Sequence, residues 1–495
     1  MTEALVLVER DDTGRVSRIP IAPGVGRSST GGIKALPSSR SPRSSYAALT
    51  GLGSIRHIFY DLFLPAGYPA SVSPDYLQYQ TYNALQAFCS SVSGLLASRG
   101  ALEGVGVGNA SASATQALLL TVLKDVFSRV TTIIAAYYCG TSLYPETKTF
   151  RFLADVVNDA SIVLDTLIPY IGAINLSETI PFVPTGATLQ IVALCMSGAL
   201  RSLCGLVAGG SKAALTNHFA SPLTGKGDVG ELNAKDASRE TVIGLSGMLL
   251  GTLLIPYINT RASTYIMLFV LVGGHLLFNY LAVRSVVLRT LNRQRTSILW
   301  TDYRKSPEVS KRRALSPSEV ASRELIFETP MYMRDCNTGQ IIGRCTLGAP
   351  LQTLMPLCTT EHIAAALQVF QKEKYVLFLA DRKRWQSRGP TIFVCFKDGY
   401  RPIDQLRAWV HSMEVAAVLN DPHAAKDPAT TYQVVHQAMA LMREAMDGFV
   451  TCLVQAGWDT ADDSMMFGSP TSLILGTDKD LQDAEINDQE VKKDR

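Results

Sequence analysis

Long uncharged stretches separate the charged positions in the middle of the chain. Twenty residues without a charge lie between Glu240 and Arg261, and 22 more lie between Arg261 and Arg284. Because an α-helix rises about 1.5 Å per residue, each stretch can cross the roughly 30 Å hydrocarbon core of a bilayer. The pattern predicts a transmembrane hairpin over residues 241–283, with a tight turn just before Arg261.

Less continuous apolar stretches precede this hairpin. A third candidate span covers about 185–210 and is interrupted by Arg201. Shorter uncharged stretches, rich in Gly, Ala, Ser and Thr, cover 76–98, 104–123 and 130–145. For these three, a helix in a soluble core is the alternative to a membrane helix, since length and hydrophobicity alone do not separate the two.

Small residues recur at four-residue spacing in this region. The rows are Ser90, Gly94 and Ser98; Gly104, Gly108 and Ala112; Gly205, Gly209 and Ala213; and Gly247 with Gly251. In lipid, helices associate by close backbone approach, because an apolar side chain gains little by moving from one apolar environment to another. Four such rows predict a compact bundle of closely packed helices.

The last third of the chain alternates strand and helix patterns. Short apolar runs predict strands at 341–347, 375–380 and 391–396, and longer periodic segments predict helices at 359–370, 402–419 and 432–456. In the last segment, apolar residues three and four positions apart predict a buried helix face. They are Val435, Met439, Met442, Met446, Phe449 and Leu453.

These patterns predict a mainly α protein, in which a helical membrane-associated bundle is followed by a small C-terminal α+β domain. The predicted domains are an N-terminal hairpin and basic Ser-rich linker at 1–63, the helical membrane domain at 64–300, the α+β domain at 301–470 and an acidic disordered tail at 471–495. The hairpin is predicted because two apolar runs flank the turn-forming residues 11–14.

The N-terminal segment has two interpretations. Residues 13–60 contain seven Arg or Lys and no acidic residue, and they are rich in Ser, which is typical of an organelle targeting segment. The acidic residues at positions 3, 9, 11 and 12 argue against a targeting segment. The sequence leaves the question open.

Charge is distributed unevenly along the chain, although the formal net charge is only +3. Residues 64–290 carry 25 charged residues in 227 positions, whereas residues 301–495 carry 49 in 195 positions. Residues 284–313 contain nine basic and two acidic residues, which by the positive-inside rule predicts that the C-terminal domain faces the cytosol, stroma or matrix. A multi-pass protein of a plastid, mitochondrial or endomembrane system is expected.

The other interpretation of the basic run is a nucleic-acid surface. Such surfaces interleave basic residues with aromatic residues that stack on bases. Only Trp300 and Tyr303 are available here, so a nucleic-acid partner is not predicted.

Motifs of known chemistry are missing from the sequence. The segment from Gly205 to Lys212 resembles a phosphate-binding loop, but Ser211 precedes the Lys, whereas that motif needs Lys followed by Ser or Thr. Neither H-E-x-x-H nor G-x-S-x-G occurs, and the nine Cys include no C-x-x-C pair. No catalytic residue, metal site or cofactor is predicted, and we expect a protein that is not an enzyme.

Polar residues at or near membrane depth are the candidate ligand-binding groups. They are Asp75, Tyr76, Gln80, Arg99, Lys124, Asp125, Asp155, Asp159, Lys212, His218, Lys235 and Asp236. Charges inside a membrane are costly, so they usually pair or line a cavity. One hypothesis is that they converge on a cavity for a small anionic metabolite, and the alternative is a set of ion pairs and helix ends at the membrane interface.

Lys212 receives a more specific hypothesis, because it follows a Gly-Gly pair. If a new helix begins there, its N-terminal amides and the Lys212 ammonium would together attract an anion. The alternative is that the side chain extends to lipid headgroups.

Several segments in order along the chain resemble the domain of the root UV-B sensitive (RUS) family. They are Leu64-Pro65-Ala66-Gly67-Tyr68-Pro69, Ser71-Val72-Ser73-Pro74-Asp75-Tyr76-Leu77, Tyr79-Gln80, Leu85-Gln86-Ala87-Phe88, Gly106-Val107-Gly108-Asn109-Ala110, Lys124-Asp125, Arg151-Phe152-Leu153-Ala154-Asp155 with Asn158-Asp159, Ala213-Ala214-Leu215-Thr216 with His218, Ala234-Lys235-Asp236, Glu240-Thr241 and Asn279-Tyr280. The resemblance covers about 64–295. Where the family usually has Trp-Asp, this chain has Tyr82-Asn83.

The resemblance implies a membrane-associated protein of a family with plastid members in plants. It also implies a link to ultraviolet-B responses, early seedling development, auxin transport and vitamin B6 homeostasis, without an established catalytic activity. Two functions follow as hypotheses. The protein moves or senses a small anionic metabolite, or it is a membrane scaffold whose C-terminal domain recruits a protein partner or a homologue of the same family.

Overall fold

A computed structural model gives the fold of two compact units. The structure describes residues 5–10, 16–21, 62–107, 113–140, 143–172, 185–223, 227–258, 260–306, 308, 312–358, 360–380, 389–420, 428–461, 465 and 471–473. The helical unit comprises Met1–Ala135 and Phe150–Val286. The C-terminal unit comprises Ala136–Thr149 and Val287–Arg495, so it includes a short segment from the middle of the chain.

The N-terminal residues form a two-stranded antiparallel hairpin. Strand β1 (Leu5–Arg10) pairs with β2 (Val16–Ile21), with Leu5 opposite Ile21. The turn at 11–14, the basic linker up to residue 61 and the acidic residues 474–495 lie outside the described residues.

Among the described residues, six long helices lie wholly or mostly in the helical unit. They are α1 (Tyr76–Gly104), α2 (Ala114–Cys139), α3 (Thr147–Gly172), α4 (Gly186–Phe219), α5 (Val229–Leu254) and α6 (Arg261–Ser285). Side chains satisfy free backbone amides at the starts of α4, α5 and α6. The Asp228 carboxylate accepts from the Gly230 amide at the start of α5, and Thr260 forms a capping box with Ser263 at the start of α6.

Within the described residues, three helices are long and apolar enough to cross a membrane: Gly186–Phe219, Val229–Tyr257 and Arg261–Ser285. The last two cover the segment of the hairpin predicted at 241–283, and a short 3₁₀ turn at Ile255–Tyr257 ends the first of them. Large apolar side chains on their outer faces are exposed, for example Leu253 and Ile266. A large exposed apolar surface is typical of a region that contacts a membrane or another protein.

Helix α4 corrects one hypothesis about Lys212. The residues from Gly205 to Lys212 lie inside a continuous helix that ends only at Phe219. No helix begins at the Gly-Gly pair, so the backbone amides there are already hydrogen-bonded within the helix and cannot bind an anion. This segment is neither a phosphate loop nor a helix N-terminus.

Glycine lets α1 approach its neighbours closely at some of the predicted rows and not at others. A Cβ atom on Gly247 of α5 would lie 2.8 Å from Ser91 Cβ, and one on Gly104 of α1 would overlap the side chain of Ile168. In contrast, Gly94, Gly205 and Gly209 have no neighbour within 4 Å of such an atom. The rows at 90–98 and 205–213 were therefore wrong as contact surfaces at these glycines.

In its described residues, the C-terminal unit combines six helices with a five-stranded sheet. The helices are α7 (Arg293–Lys305), α8 (Pro317–Arg323), α9 (Leu351–Leu354), α10 (Thr360–Val369), α11 (Pro402–Leu419) and α12 (Pro428–Gln455), and the strands are β3 (Tyr332–Arg334), β4 (Ile341–Leu347), β5 (Tyr375–Leu379), β6 (Thr391–Lys397) and β7 (Ser472–Leu473). The order β3-β4-β6-β5 is mixed, since β4 and β6 are parallel and the other two pairings are antiparallel.

The core of this unit matches the predicted pattern. All six apolar residues of the predicted face on α12 are buried, and they pack with the sheet and with Trp409 of α11. The predicted fold class is therefore confirmed: a mainly helical protein with a small C-terminal region that combines helices and a sheet.

Buried charges of the C-terminal unit surround the segment 143–149. Lys148 Nζ lies 2.7 Å from Glu324 Oε2, and Arg295 Nε lies 2.9 Å from Glu324 Oε1. Asn292 Nδ2 donates to Glu146 Oε2 at 2.9 Å. Burial raises the pKa of the Glu146 carboxyl to about 7, although Arg293 and Arg295 oppose the rise.

Glu146→Gln is expected to stabilise the C-terminal unit at alkaline pH. Because the folded pKa of about 7 lies above the ordinary value of 4.5, the folded state favours the protonated carboxyl. This contribution to the free energy of unfolding is complete below pH 4.5 and is lost as the pH rises through 7. The variant should gain about 1–3 kcal/mol over the wild type at pH 8 and little at pH 4.

Tryptophan fluorescence during denaturant unfolding measures this effect selectively, because all four tryptophans lie between residues 300 and 458. Equal unfolding free energies of the two proteins at pH 8 would contradict the prediction.

Candidate functional site

A buried polar network joins three helices of the helical unit, and we call it the central network. Its members are Gln86 on α1, Arg151, Asp155 and Asp159 on α3, and His275 and Asn279 on α6. Helical spacing builds it, since Arg151, Asp155 and Asp159 recur every four residues, as do His275 and Asn279. Each helix thereby directs one polar stripe toward the other two.

Asp155 is the centre of this network. The side-chain amides of Gln86 and Asn279 both donate to its Oδ2 atom. Arg151 NH1 lies 3.2 Å from the same oxygen, and its other nitrogens donate to Tyr79 and Asn83 at 3.3 Å. The carboxylate therefore receives donors from all three helices.

His275 joins Asp159 to the rest of the network. Its Nδ1 lies 2.8 Å from Asp159 Oδ2, and its Nε2 lies 3.3 Å from Gln86 Nε2. A carboxylate accepts only, so Nδ1 carries the proton and Nε2 accepts from the Gln86 amide. His275 is buried, which fits this arrangement of one donor and one acceptor.

A second group lies near the start of α1. His218 Nε2 is 2.9 Å from Asp75 Oδ2, and Ser73 Oγ donates to Asp75 Oδ1 at 2.5 Å. Both members of the pair are nearly inaccessible. This pair ties the end of α4 to the start of α1.

A third group brings together α1 and α5 beside a cavity. Gln80 Nε2 donates to Asp236 Oδ1 at 3.0 Å, and Arg239 donates to Asp236 and, at 3.2 Å, to the Tyr76 hydroxyl. A cavity of about 480 Å³ opens here. Its lining includes Gln80 and Arg239 together with the apolar side chains Leu77, Leu85, Phe88 and Ile243.

A fourth group surrounds Asp165 on α3. Arg201 NH2 lies 2.7 Å from Asp165 Oδ2, Ser197 donates to Oδ1, and Lys124 Nζ lies 4.0 Å from Oδ1. Arg201, which interrupts the apolar stretch of α4, is thus neutralised by a buried carboxylate. Such pairing is the usual way in which a helix bundle accommodates a charge.

The remaining candidates lie outside these groups. Arg99 pairs with Glu103 at 2.9 Å on an exposed face of α1, and Lys212 pairs with Glu240 at 2.8 Å. Asp125 is exposed and Lys235 is half-buried. The twelve candidates are therefore distributed over several sets of contacts rather than gathered into one.

Several residues of the central network and of the fourth group were not among the candidates predicted from the sequence. Gln86, Arg151, His275 and Asn279 were missed, as were Asp165 and Arg201. The i, i+4 spacing of His275 with Asn279 inside an apolar helix was the available signal. Among the described residues, no group of three His, Cys, Asp or Glu is arranged to hold a metal ion.

Lys212→Gln is expected to leave the protein folded and active. The pair with Glu240 is about 40% exposed on both sides, and exposed pairs contribute about 0–1 kcal/mol to stability. Complementation of a strain that lacks the protein, with membrane abundance measured in parallel, tests this. If the variant fails to complement although its abundance in the membrane is normal, Lys212 takes part in ligand binding.

Comparison with known proteins identifies two matching family models. The vitamin B6 photo-protection and homoeostasis domain matches residues 51–307, and the root UVB sensitive protein C-terminal domain matches residues 313–467. "RUS family member 1" of Dictyostelium discoideum is 33% identical over 274 residues, which cover 55% of this chain and 48% of that protein. The chain thus spans about half the length of this relative.

Two plant proteins are similar over more of the chain. "Protein root UVB sensitive 3" of Arabidopsis thaliana is 28% identical over 362 residues, 72% of this chain and 74% of that protein. "Protein root UVB sensitive 2, chloroplastic" of the same plant is 25% identical over 406 residues, 81% of this chain and 82% of that protein. No solved structure matches the chain.

Proposed function

The chain belongs to the root UVB sensitive family, and from that premise we propose that it is a non-enzymatic, multi-pass membrane protein that moves or senses a small anionic metabolite. The metabolite class is a vitamin B6 phosphate or a similar organic anion. The description of the matching domain, which names vitamin B6 homoeostasis, supports this class.

The observation that carries the proposal is the open cavity beside Arg239. Ligand sites combine apolar walls with a few polar groups, in volumes of about 300–1,000 Å³; this open cavity of about 480 Å³ lies in that range, and its lining is mainly apolar with Gln80 and Arg239 as polar members. A guanidinium binds a phosphate or carboxylate by two parallel hydrogen bonds. The apolar walls suit an aromatic ring, so Arg239 would hold the anionic group of a flat metabolite.

Uptake into proteoliposomes tests the proposal. The purified full chain is reconstituted, and uptake or binding of pyridoxal phosphate, pyridoxine and malate is measured with radiolabelled compounds. We expect a preference for the phosphate and a loss of at least tenfold in Arg239→Gln. The matched control is Arg99→Gln, which removes an exposed arginine of the same unit. Equal uptake and binding by the two variants, or no uptake or binding by the wild-type protein, would contradict the proposal.

The proposed orientation places the C-terminal domain on the cytosolic, stromal or matrix side of the membrane. The Arg-rich flank at 284–313 supports it, and one relative is named as chloroplastic. Single cysteines at Arg261 and Arg289, introduced into a cysteine-free background, should react with impermeant reagents from opposite sides. Labelling of both from one side would exclude the hairpin.

A second candidate function is a membrane scaffold, and one surface of the C-terminal unit favours it. A cavity of about 250 Å³ is lined by residues that include Gln294, Ile298 and Leu325, and Leu325 and the nearby Phe327 are at least half exposed. Exposed apolar side chains beside a cavity suit a protein partner or a homologue of the same family. If the scaffold function dominates, the Phe327→Asp variant should fail to complement a strain that lacks the protein, although its abundance is normal. Full complementation by this variant would exclude the scaffold function.

A further inference from the structure

Hydrogen-bond acceptors exceed donors in the central network. Three buried oxygens have no hydrogen-bond partner among the described residues: Gln86 Oε1, Asp159 Oδ1 and Asn279 Oδ1. Their residues are at most 4% exposed. A buried acceptor without a donor lowers the stability of the folded state, because it has lost its hydrogen bonds to water. Three of them in one network leave acceptor capacity that a group with positive charge or hydrogen-bond donors would satisfy.

The orientation of the two amides fixes this excess. The nitrogens of Gln86 and Asn279 both donate to Asp155 Oδ2, and the Gln86 nitrogen also faces His275 Nε2. Turning either amide would place its oxygen against the Asp155 carboxylate, which repels it. The amide oxygens are therefore held away from Asp155 and are available to a guest.

The three oxygens also belong to one connected set of contacts. Gln86 and Asn279 share a single carboxylate oxygen, and His275 links Gln86 to Asp159. They come from helices α1, α6 and α3, respectively. A guest between these oxygens would tie together three helices that are far apart in the sequence.

The charge of the network specifies the guest further. Asp155 and Asp159 carry two negative charges, Arg151 carries one positive charge, and His275 is neutral in the arrangement that its hydrogen bonds define. One negative charge is left over. Carboxylate and amide oxygens are ligands for hard cations, and a divalent ion usually requires more carboxylates than one unbalanced charge provides.

We propose that the central network binds one monovalent cation of the sodium class, held by Asp159 Oδ1, Gln86 Oε1 and Asn279 Oδ1. The site rests on the three unpartnered buried oxygens and on the negative charge left over in the network. Its role as a coupling ion for metabolite movement rests on the proposed function, and bundles that move solutes often hold such an ion between helices near the middle of the membrane.

Thermal unfolding of the purified full chain tests the site. The protein is placed in nanodiscs of neutral phosphatidylcholine, and unfolding is followed by far-ultraviolet circular dichroism. Sodium, lithium, potassium or calcium chloride replaces N-methylglucamine chloride at constant ionic strength. We expect sodium to raise Tm saturably, by roughly 3–6 °C at about 100 times its Kd, and N-methylglucamine to have no effect.

Two matched variants identify the residues. Asp159→Asn removes the unbalanced charge and keeps the shape of the side chain, so the sodium response should disappear. Asp165→Asn is the control, because Asp165 is a buried carboxylate on the same helix whose two oxygens already have partners. Its sodium response should persist.

Binding of radioactive sodium to the wild-type protein gives a second measurement that does not depend on the variants folding. Saturable binding of one ion per chain supports the site. The same Tm shift with every salt, a response to calcium only, or no saturable sodium binding would overturn it. Sodium binding without any metabolite uptake would refute the proposed function and leave the cation site standing.

Discussion

Gly100→Ala is expected to lower the free energy of unfolding of the helical unit by about 3 kcal/mol, because a new Cβ would overlap the backbone of α3. That atom would lie 2.5 Å from the Asp165 carbonyl oxygen and 2.8 Å from Thr166 Cα. Backbone atoms inside a helix cannot move aside as the end of a side chain can. Either α1 moves away from α3 or both helices deform, and the central network between them is disturbed.

Gly94→Ala is the matched control on the same helix. Nothing lies within 4 Å of its added Cβ, so the substitution should be neutral or should stabilise α1 by about 0.5–1 kcal/mol through helix propensity. Circular dichroism melting in detergent measures both variants. Equal melting temperatures for the two would show that α1 does not approach α3 as described.

Glu324→Gln should strongly destabilise the C-terminal unit. It removes the carboxylate that contacts both the ammonium of Lys148 and the guanidinium of Arg295, and both of these groups are at most 6% exposed. Removing one partner from a buried pair typically costs about 3–5 kcal/mol. Glu373→Gln is the control, since its partner Arg443 is half exposed and the loss should stay within about 1 kcal/mol.

The pH dependence of unfolding gives an independent test of the same contacts. Burial alone would raise the pKa of Glu324, but Arg295 and Lys148 outweigh it and lower the pKa to about 2. The folded pKa is below the ordinary 4.5, so this contribution is complete above about pH 5 and is lost as the pH falls to 2. Tryptophan fluorescence should show an acid-labile component of about 3 kcal/mol in the wild type. The same component in Glu324→Gln would contradict the assignment.

The sequence predicts most helices and strands because their patterns are local. Uncharged runs of 20 and 22 residues locate α5 and α6, and the three- and four-residue spacing on α12 locates its buried face. The spacing of small residues could not show which glycines make contact. Gly94 and Gly247 look alike in sequence, yet only the second one faces a neighbouring helix closely.

The site is predicted less well because its members meet only after folding. Asp155 and Asp159 stand out in sequence as charges in an apolar region, whereas Gln86 and Asn279 resemble ordinary polar residues of a helix. Asn279 is 124 residues away from the carboxylate to which it donates. The helix start predicted at Lys212 was wrong for a local reason, since a Gly-Gly pair often ends a helix but lies inside α4 here.

The place of Ala136–Thr149 in the C-terminal unit also has a consequence for synthesis on the ribosome. Lys148 is made 176 residues before Glu324, which at about 5–20 residues per second is a delay of roughly 10–30 s. Until Glu324 has been synthesised, the C-terminal unit cannot fold around this segment. A chain truncated after residue 300 would therefore contain the segment 136–149 without the unit into which it packs. We expect chaperones and proteases to recognise such a chain.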